Sequence, residues 1–226
     1  MDQATGFDPA ADTVADLVHP NATGAAKMRD RWFEALVQVL PTPAGDTTQP
    51  QLVPYKTPAG SAPLDLHVFT PPTGPAAMRP AVVFFFGGGW TTGTPLQFYT
   101  ECRHFAAQGD VAITADYRIS STHAGATAFD SVADAKSAVR DLRSHATELG
   151  IDPQRIVAAG ASAGGHLAAA AALLPGLDDP SDDPTVSARP DALQLWYPVI
   201  DNGPTGYAYS SFGRVTGRFP RCKTSA

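Results

Sequence analysis

Residues 155–169 read RIVAAGASAGGHLAA. The opening Arg155–Ala159 is a short apolar run of the kind that forms a strand buried on both faces. The stretch from Ser162 to Leu174 is Ala-rich and helical, and Pro175 stops it. Between them lies Gly160-Ala161-Ser162-Ala163-Gly164, followed by Gly165. A serine at a sharp strand-to-helix turn needs small neighbours, because the backbone passes close to itself there. Such a turn pushes the hydroxyl outward, and the helix that starts beside it directs its free amides and positive dipole end to the same point. Ser162 is therefore the candidate nucleophile.

Other apolar runs repeat the pattern upstream. Ala81–Phe86 (AVVFFF) and Val111–Ala115 (VAITA) also read as strands buried on both faces, with helix-like stretches at Pro95–Gln108 and Phe129–Leu149. In the second stretch Val132, Ala135, Val139, Leu142 and Ala146 form one stripe. Alternating helices and buried strands predict an α/β domain with a mostly parallel sheet. Gln51–Lys56 and Leu64–Thr70 predict an antiparallel hairpin at a sheet edge, and Ala192–Val199 a further strand. Ala26–Leu40 carries an amphipathic helical period ended by Pro41 and Pro43. Leu177–Thr185 (LDDPSDDPT) reads as an acidic surface loop, and the last 13 residues, RVTGRFPRCKTSA, as a basic tail without period. The organisation is then a lead-in and helix over 1–45, a core over 46–202 and the tail over 203–226.

A second chemical signal follows AVVFFF. Phe86-Gly87-Gly88-Gly89-Trp90 ends a buried strand and precedes a helix. Glycines at that place let backbone N–H groups face a developing alkoxide with no side chain between. FFGGGW, then ADYR (Ala115–Arg118), then DPQRIVAAGASAGGHLAA together resemble the α/β-hydrolase superfamily, within it the hormone-sensitive-lipase-like and feruloyl/acetyl-ester esterase branch. The resemblance covers roughly residues 50–202. It implies a three-layer sandwich around an eight-stranded sheet, parallel except for strand 2. It implies a serine carboxylic-ester hydrolase acting on short-acyl, aromatic or carbohydrate esters, with no cofactor. By the same likeness Ser162 is the nucleophile and Gly88, Gly89 and Ala163 give the oxyanion N–H groups. Phe86 stands where these enzymes usually carry a histidine that orients the glycine loop, so altered loop rigidity is expected.

The resemblance also implies an order of serine, acid, histidine along the chain. After Ser162 the only histidine is His166, within the same helix and structural in this branch. Asp201 follows its strand one strand too early for the acid and reads as a turn residue. Six strands are counted, so strands 7 and 8 are expected to be missing, on the order of 70–100 residues. A serine without a base is a poor nucleophile, so the chain is expected to be impaired: a truncated or frame-shifted product, or half of a split enzyme. The alternative is a non-catalytic binding module of hydrolase fold. Strand 192–199 would then be an open edge inviting a homo-oligomer or a completing chain. Trp90 and His123 are candidate substrate-wall residues, with Phe98 and Tyr99 near them. His19, His67, His104 and His145 show no partner spacing.

Composition sets the outer bounds. The chain has 226 residues, 43% hydrophobic and 17% charged, which suits a folded domain with a sizeable core. Its net charge of −6, 16 basic against 22 acidic residues, argues against a nucleic-acid partner. No apolar run is long enough for a membrane span. Two cysteines make no disulfide framework, and no histidine spacing suggests a metal site. The polar N-terminus is not a signal peptide, which fits the cytoplasm, or secretion if a signal was removed.

Overall fold

The computed structural model describes residues 8–12, 23, 24, 27, 49–72 and 78–201. The chain divides into two units, 1–46 and 47–226. In the first, helix α1 spans Pro9–Asp12, and the buried Asp12 carboxylate pairs with Lys27 at 2.7 Å. Apart from Lys27, the helix expected over Ala26–Leu40 lies outside the described residues, as do the tail 203–226 and His19.

The second unit holds β1 (Gln51–Lys56), β2 (Leu64–Phe69), β3 (Arg79–Phe85), α2 (Tyr99–Gln108), β4 (Val111–Ala115), α3 (Ala128–Ser144), α4 (Ala146–Leu149), β5 (Ile151–Ala161), α5 (Ala163–Leu173) and β6 (Ala192–Trp196). The six strands form one sheet in the order β1-β2-β4-β3-β5-β6. β2 runs antiparallel to both neighbours, and the other pairings are parallel. This is the mostly parallel α/β sheet with a hairpin edge that the sequence predicts.

Chain direction explains where a site forms. From β3 the chain moves to β4 on one side, whereas from β4 it crosses to β5 on the other. Right-handed crossovers in opposite directions place their helices on opposite faces of the sheet. Accordingly α2 packs on β4 and β2, while α3 and α5 pack together on β5. β3 and β5 are thus neighbours whose following segments leave to opposite faces, the kind of place where ligands bind in open α/β sheets. The glycine loop follows β3, and Ser162 follows β5.

The core is built around β3. Val83, Phe84 and Phe85 are buried, as are all five residues of β4. Val132, Ala135, Val139 and Leu142 form the wholly buried stripe of α3, and Ala146 of α4 continues it. α3 starts at a reciprocal cap between Thr127 and Asp130, an arrangement worth about 1 kcal/mol.

Several boundaries differ from the sequence reading. Pro95–Phe98 is a 3-10 helix that leads into α2, because Pro95 sits at its start without an N–H to offer. The helix expected to reach Leu149 breaks at His145. β5 extends in both directions, to Ile151 and Ala161. The strand expected over Ala192–Val199 ends at Trp196, because Tyr197 has φ +38°, a left-handed conformation that no strand accommodates. β6 lies at the sheet edge, and Trp196 is half-buried, its ring near-parallel to those of Phe84 and Phe98 at 6.0 and 5.9 Å.

The loop 177–185 is the acidic surface loop that the sequence predicts, and cations from elsewhere in the chain hold it in place. Lys56 bridges Asp179 (2.6 Å) and the fully buried Asp134 (2.8 Å). Lys136 holds Asp178 and the Gly176 carbonyl. Arg140 binds Asp178 at 2.6 Å, Asp182 at 3.1 Å and the Val186 carbonyl at 2.9 Å. One face of α3 thus clamps the segment that leads from α5 to β6. Burial alone would raise the Asp179 carboxyl, but hydrogen bonds from Lys56 and Ser181 outweigh it and carry it well below the usual carboxylate range.

Candidate active site

Ser162 sits between β5 and α5 with φ 53° and ψ −117°, a region that non-glycine residues rarely occupy. Three glycines make this turn sterically possible. A Cβ on Gly160 would lie 2.5 Å from the Gly164 carbonyl oxygen, and a Cβ on Gly164 only 1.9 Å from the Phe85 carbonyl oxygen. A Cβ on Gly165 would press on Pro198 at 2.9 Å. The turn is also fastened from outside. The Ser162 N–H donates to the Trp196 carbonyl (3.1 Å), and the Ser162 carbonyl accepts from His166 N (3.0 Å) and Val199 N (3.2 Å). The Ser162 side chain is half-buried, and its hydroxyl has no hydrogen-bond partner among the described residues.

The glycine loop meets this turn edge to edge. A Cβ on Gly87 would be 3.1 Å from the Ala161 carbonyl oxygen and 3.5 Å from Ser162 Cβ. Gly88 (φ 125°) and Gly89 (φ 62°) both need the left-handed region, and a Cβ on Gly88 would strike the Thr92 carbonyl at 2.1 Å. The Gly88 carbonyl accepts from the Thr91 and Thr92 amides at 3.1 and 3.0 Å. The Gly88, Gly89 and Ala163 amides have no acceptor among the described residues. Three candidate donors therefore belong to two segments that touch at Gly87 and Ser162.

Phe86 stacks on Tyr117 with 4.1 Å between ring centroids, and the Tyr117 hydroxyl donates to the Phe86 carbonyl at 2.6 Å. The Gly87 N–H donates to Gln97 Oε1, also at 2.6 Å. Sequence reasoning missed Gln97, since nothing in its local pattern signals a partner ten residues back. It also missed the grouping of His67 with Tyr99 (Nδ1 to hydroxyl, 2.7 Å) and Asp116 (3.4 Å), which joins β2, α2 and the segment after β4.

The wall candidates separate. Trp90 is only 3% exposed and stands edge-on to His166 at 5.2 Å, and Phe98 is buried against Phe84, so both pack in the interior. Tyr99 is half-buried. His123 is half-buried on a loop that docks on the glycine loop, through Ser120 N to the Trp90 carbonyl (3.3 Å) and Ser121 N to the Thr91 carbonyl (3.0 Å). Asp201, the last described residue, is exposed.

His166 lies in the helix below Ser162, and burial pushes its imidazole down to about 4. The ring is therefore neutral in the folded protein at neutral pH, while an unfolded chain titrates near 6.5. Between these values the unfolded chain binds the proton first, so stability is full above pH 6.5 and declines as pH falls toward 4. The size of that decline is about 3 kcal/mol. Urea unfolding between pH 7 and 4 is expected to show it, and His166→Met to flatten the profile over that window. Equal slopes in the two proteins would refute the assignment.

Comparison with known proteins gives the family and the fold. The BD-FAE family matches residues 65–201. Esterase LipI of Mycobacterium tuberculosis is 37% identical over 114 residues, 50% of this chain and 34% of that protein. Carboxylesterase NlhH of the same species is 35% identical over 122 residues, 53% of this chain and 35% of that protein. Among solved structures, the apo form of Thermogutta terrifontis esterase 2 superposes with a TM-score of 0.70 and 44% identity, covering 76% of this chain and 63% of that one. The same esterase phosphorylated by paraoxon gives 0.67 and 43%, over 76% and 62% of the two chains. The chain thus spans about a third of the length of the curated relatives and under two thirds of the solved esterase.

Proposed function

Since the chain belongs to the BD-FAE family and has the α/β-hydrolase fold of the esterases it resembles, we propose that it is the nucleophile-bearing core of a serine carboxylic-ester hydrolase. The observation that carries this reading is the contact of two segments. A strained serine and a glycine loop with unused amides meet at the carboxyl ends of β3 and β5.

In this reading Ser162 Oγ attacks the ester carbonyl carbon while a base removes its proton. The carbonyl π pair moves to oxygen, and the N–H groups of Gly88, Gly89 and Ala163 hold the resulting oxyanion. Collapse breaks the bond to the alcohol oxygen, which takes the proton from the base. Water then repeats the sequence on the acyl-serine. Substrates are short-acyl, aromatic or carbohydrate esters, with His123 a candidate for the substrate wall.

The base and acid come from outside the described residues. His166 is held in the helix against Trp90, and no described side chain hydrogen-bonds the Ser162 hydroxyl. A completing segment or chain joins at β6, whose end is tied to Ser162 through the Trp196 carbonyl and beside which Tyr197 and Ile200 are 76% and 62% exposed. The 226-residue chain by itself then turns over p-nitrophenyl acetate slowly or not at all.

Paraoxon tests the nucleophile. The expected result is a diethyl phosphoryl adduct, slow to form, mapped by peptide mass to Ser162 and absent from Ser162→Ala. An adduct that persists in Ser162→Ala would sink this assignment, and no adduct at all would favour the non-catalytic binding module. Rapid turnover by the isolated chain, lost in Ser162→Ala, would overturn the external base.

A further inference from the structure

Gln97 lies in the Pro95–Phe98 helix, two residues before α2 begins. Its Oε1 accepts the Gly87 N–H at 2.6 Å. Only the oxygen of a carboxamide accepts from an N–H, so this bond also fixes which way the group is turned. The Cβ position of Gly87 lies 3.7 Å from Gln97 Oε1 and 3.5 Å from Ser162 Cβ. A side chain at this one backbone position would meet both the glutamine and the candidate nucleophile.

The loop opens with three consecutive glycine amides. Gly87 is bound to Gln97, and the next two have no acceptor among the described residues. The carbonyls on either side are held differently, that of Phe86 by the Tyr117 hydroxyl and that of Gly88 by Thr91 and Thr92. Phe86 has no side-chain hydrogen-bonding atom, and its ring is occupied in the stack on Tyr117. A side-chain anchor for the amide edge of this loop must come from elsewhere.

We propose that Gln97 is the positioning residue of the oxyanion loop. By binding the Gly87 amide it removes that group from the set of donors and sets the peptide orientation that leaves Gly88 and Gly89 turned to the site. The proposal rests on the reading of Ser162 as nucleophile and of those amides as its oxyanion donors. Gln97 acts through the loop and touches no reacting atom.

Two variants and two readouts test it. Gln97→Leu removes the acceptor, whereas Gln97→Glu keeps one. Since Gln97 is exposed, both are expected to melt within a few degrees of the parent. Amide exchange at Gly87, followed by NMR, is expected to quicken about tenfold in Gln97→Leu and to stay near the parent rate in Gln97→Glu, as loss of a single hydrogen bond predicts. The second readout is phenylboronic acid, which forms a tetrahedral adduct on a serine hydroxyl that boron NMR detects. Its affinity is expected to fall about tenfold in Gln97→Leu, because a displaced donor loses much of its effect on a tetrahedral anion. Unchanged Gly87 exchange in Gln97→Leu overturns the proposal, and so does faster exchange with unchanged adduct affinity. An adduct lost in Ser162→Ala but indifferent to Gln97 leaves the nucleophile standing and removes only the positioning role. An adduct that survives Ser162→Ala, or none in the parent, shows instead that the reading of Ser162 has failed, and the positioning role with it.

Discussion

Gly164→Ala is expected to destabilise the protein by more than about 3 kcal/mol, enough to empty the soluble fraction of a marginal fold. Helix propensity alone points the other way. Gly164 is the second residue of α5, and Ala in place of Gly in a helix gains about 1 kcal/mol. The steric effect is larger. The new methyl carbon would sit 1.9 Å from the Phe85 carbonyl oxygen and 2.5 Å from both the Phe85 carbonyl carbon and the Phe86 carbonyl oxygen. These are backbone atoms of the central strand and of the residue after it. Phe85 is paired with Gly160 of β5, so it cannot yield without opening the sheet or lifting α5 away. Gly165→Ala is the internal comparison. Its methyl meets Pro198, on a loop that can shift, at 2.9 Å and the Gly160 carbonyl oxygen at 3.0 Å, a milder approach than the 1.9 Å at Gly164. Urea midpoints for both variants measure the difference. A Gly164→Ala protein as stable as the parent would mean that α5 does not pack this closely on β3.

Asp134→Ala is the second large effect, at about 3–5 kcal/mol or a fall in melting temperature of about 10 °C. The Asp134 carboxylate is wholly buried and serves two cations. Arg118 approaches through Nε at 2.8 Å and Nη2 at 2.7 Å, and Lys56 through Nζ at 2.8 Å. The Arg118 backbone N–H donates to the same group at 2.9 Å. The hydrogen bonds that it donates to Asp134 are the main reason that the Arg118 guanidinium is held above its ordinary value. Removing the carboxylate leaves a lysine that is 9% exposed and an arginine that is 19% exposed with part of their charge uncompensated. That cost exceeds the value of an ordinary surface pair several-fold. Thermal melts at low salt and at 1 M salt separate the two cases, because a screened surface pair would show a small loss that salt erases. A loss below about 1 kcal/mol would show that water reaches this group.

These two sites mark what a sequence conveys and what it withholds. The runs AVVFFF and VAITA are apolar at every position because both faces of β3 and β4 are covered, so the pattern itself announces a central strand. The glycines around Ser162 were legible for a similar reason. Each stands where another backbone passes within contact distance, and no other residue type fits. The acidic loop is legible as a surface segment, whereas its partners Lys56, Lys136 and Arg140 are not, because they lie far along the chain and composition does not carry pairing. Tyr197 ended β6 early without any trace in the apolar run ALQLWYPV, since a single left-handed residue needs no change of hydrophobicity. Trp90 looked like a wall on account of its neighbours, yet the ring turns inward to meet His166. Gln97 carries no motif at all, and only the folded geometry brings it to Gly87.

The fastening of Ser162 by Trp196 and Val199 also sets a schedule. The strained serine emerges from the ribosome well before the residues that hold it. At ordinary elongation rates of about 5–20 residues per second, that interval lasts seconds. During it the nascent turn lacks its outer hydrogen bonds. The strained turn around Ser162 is therefore completed late in synthesis, when the segment from Trp196 to Val199 docks on it.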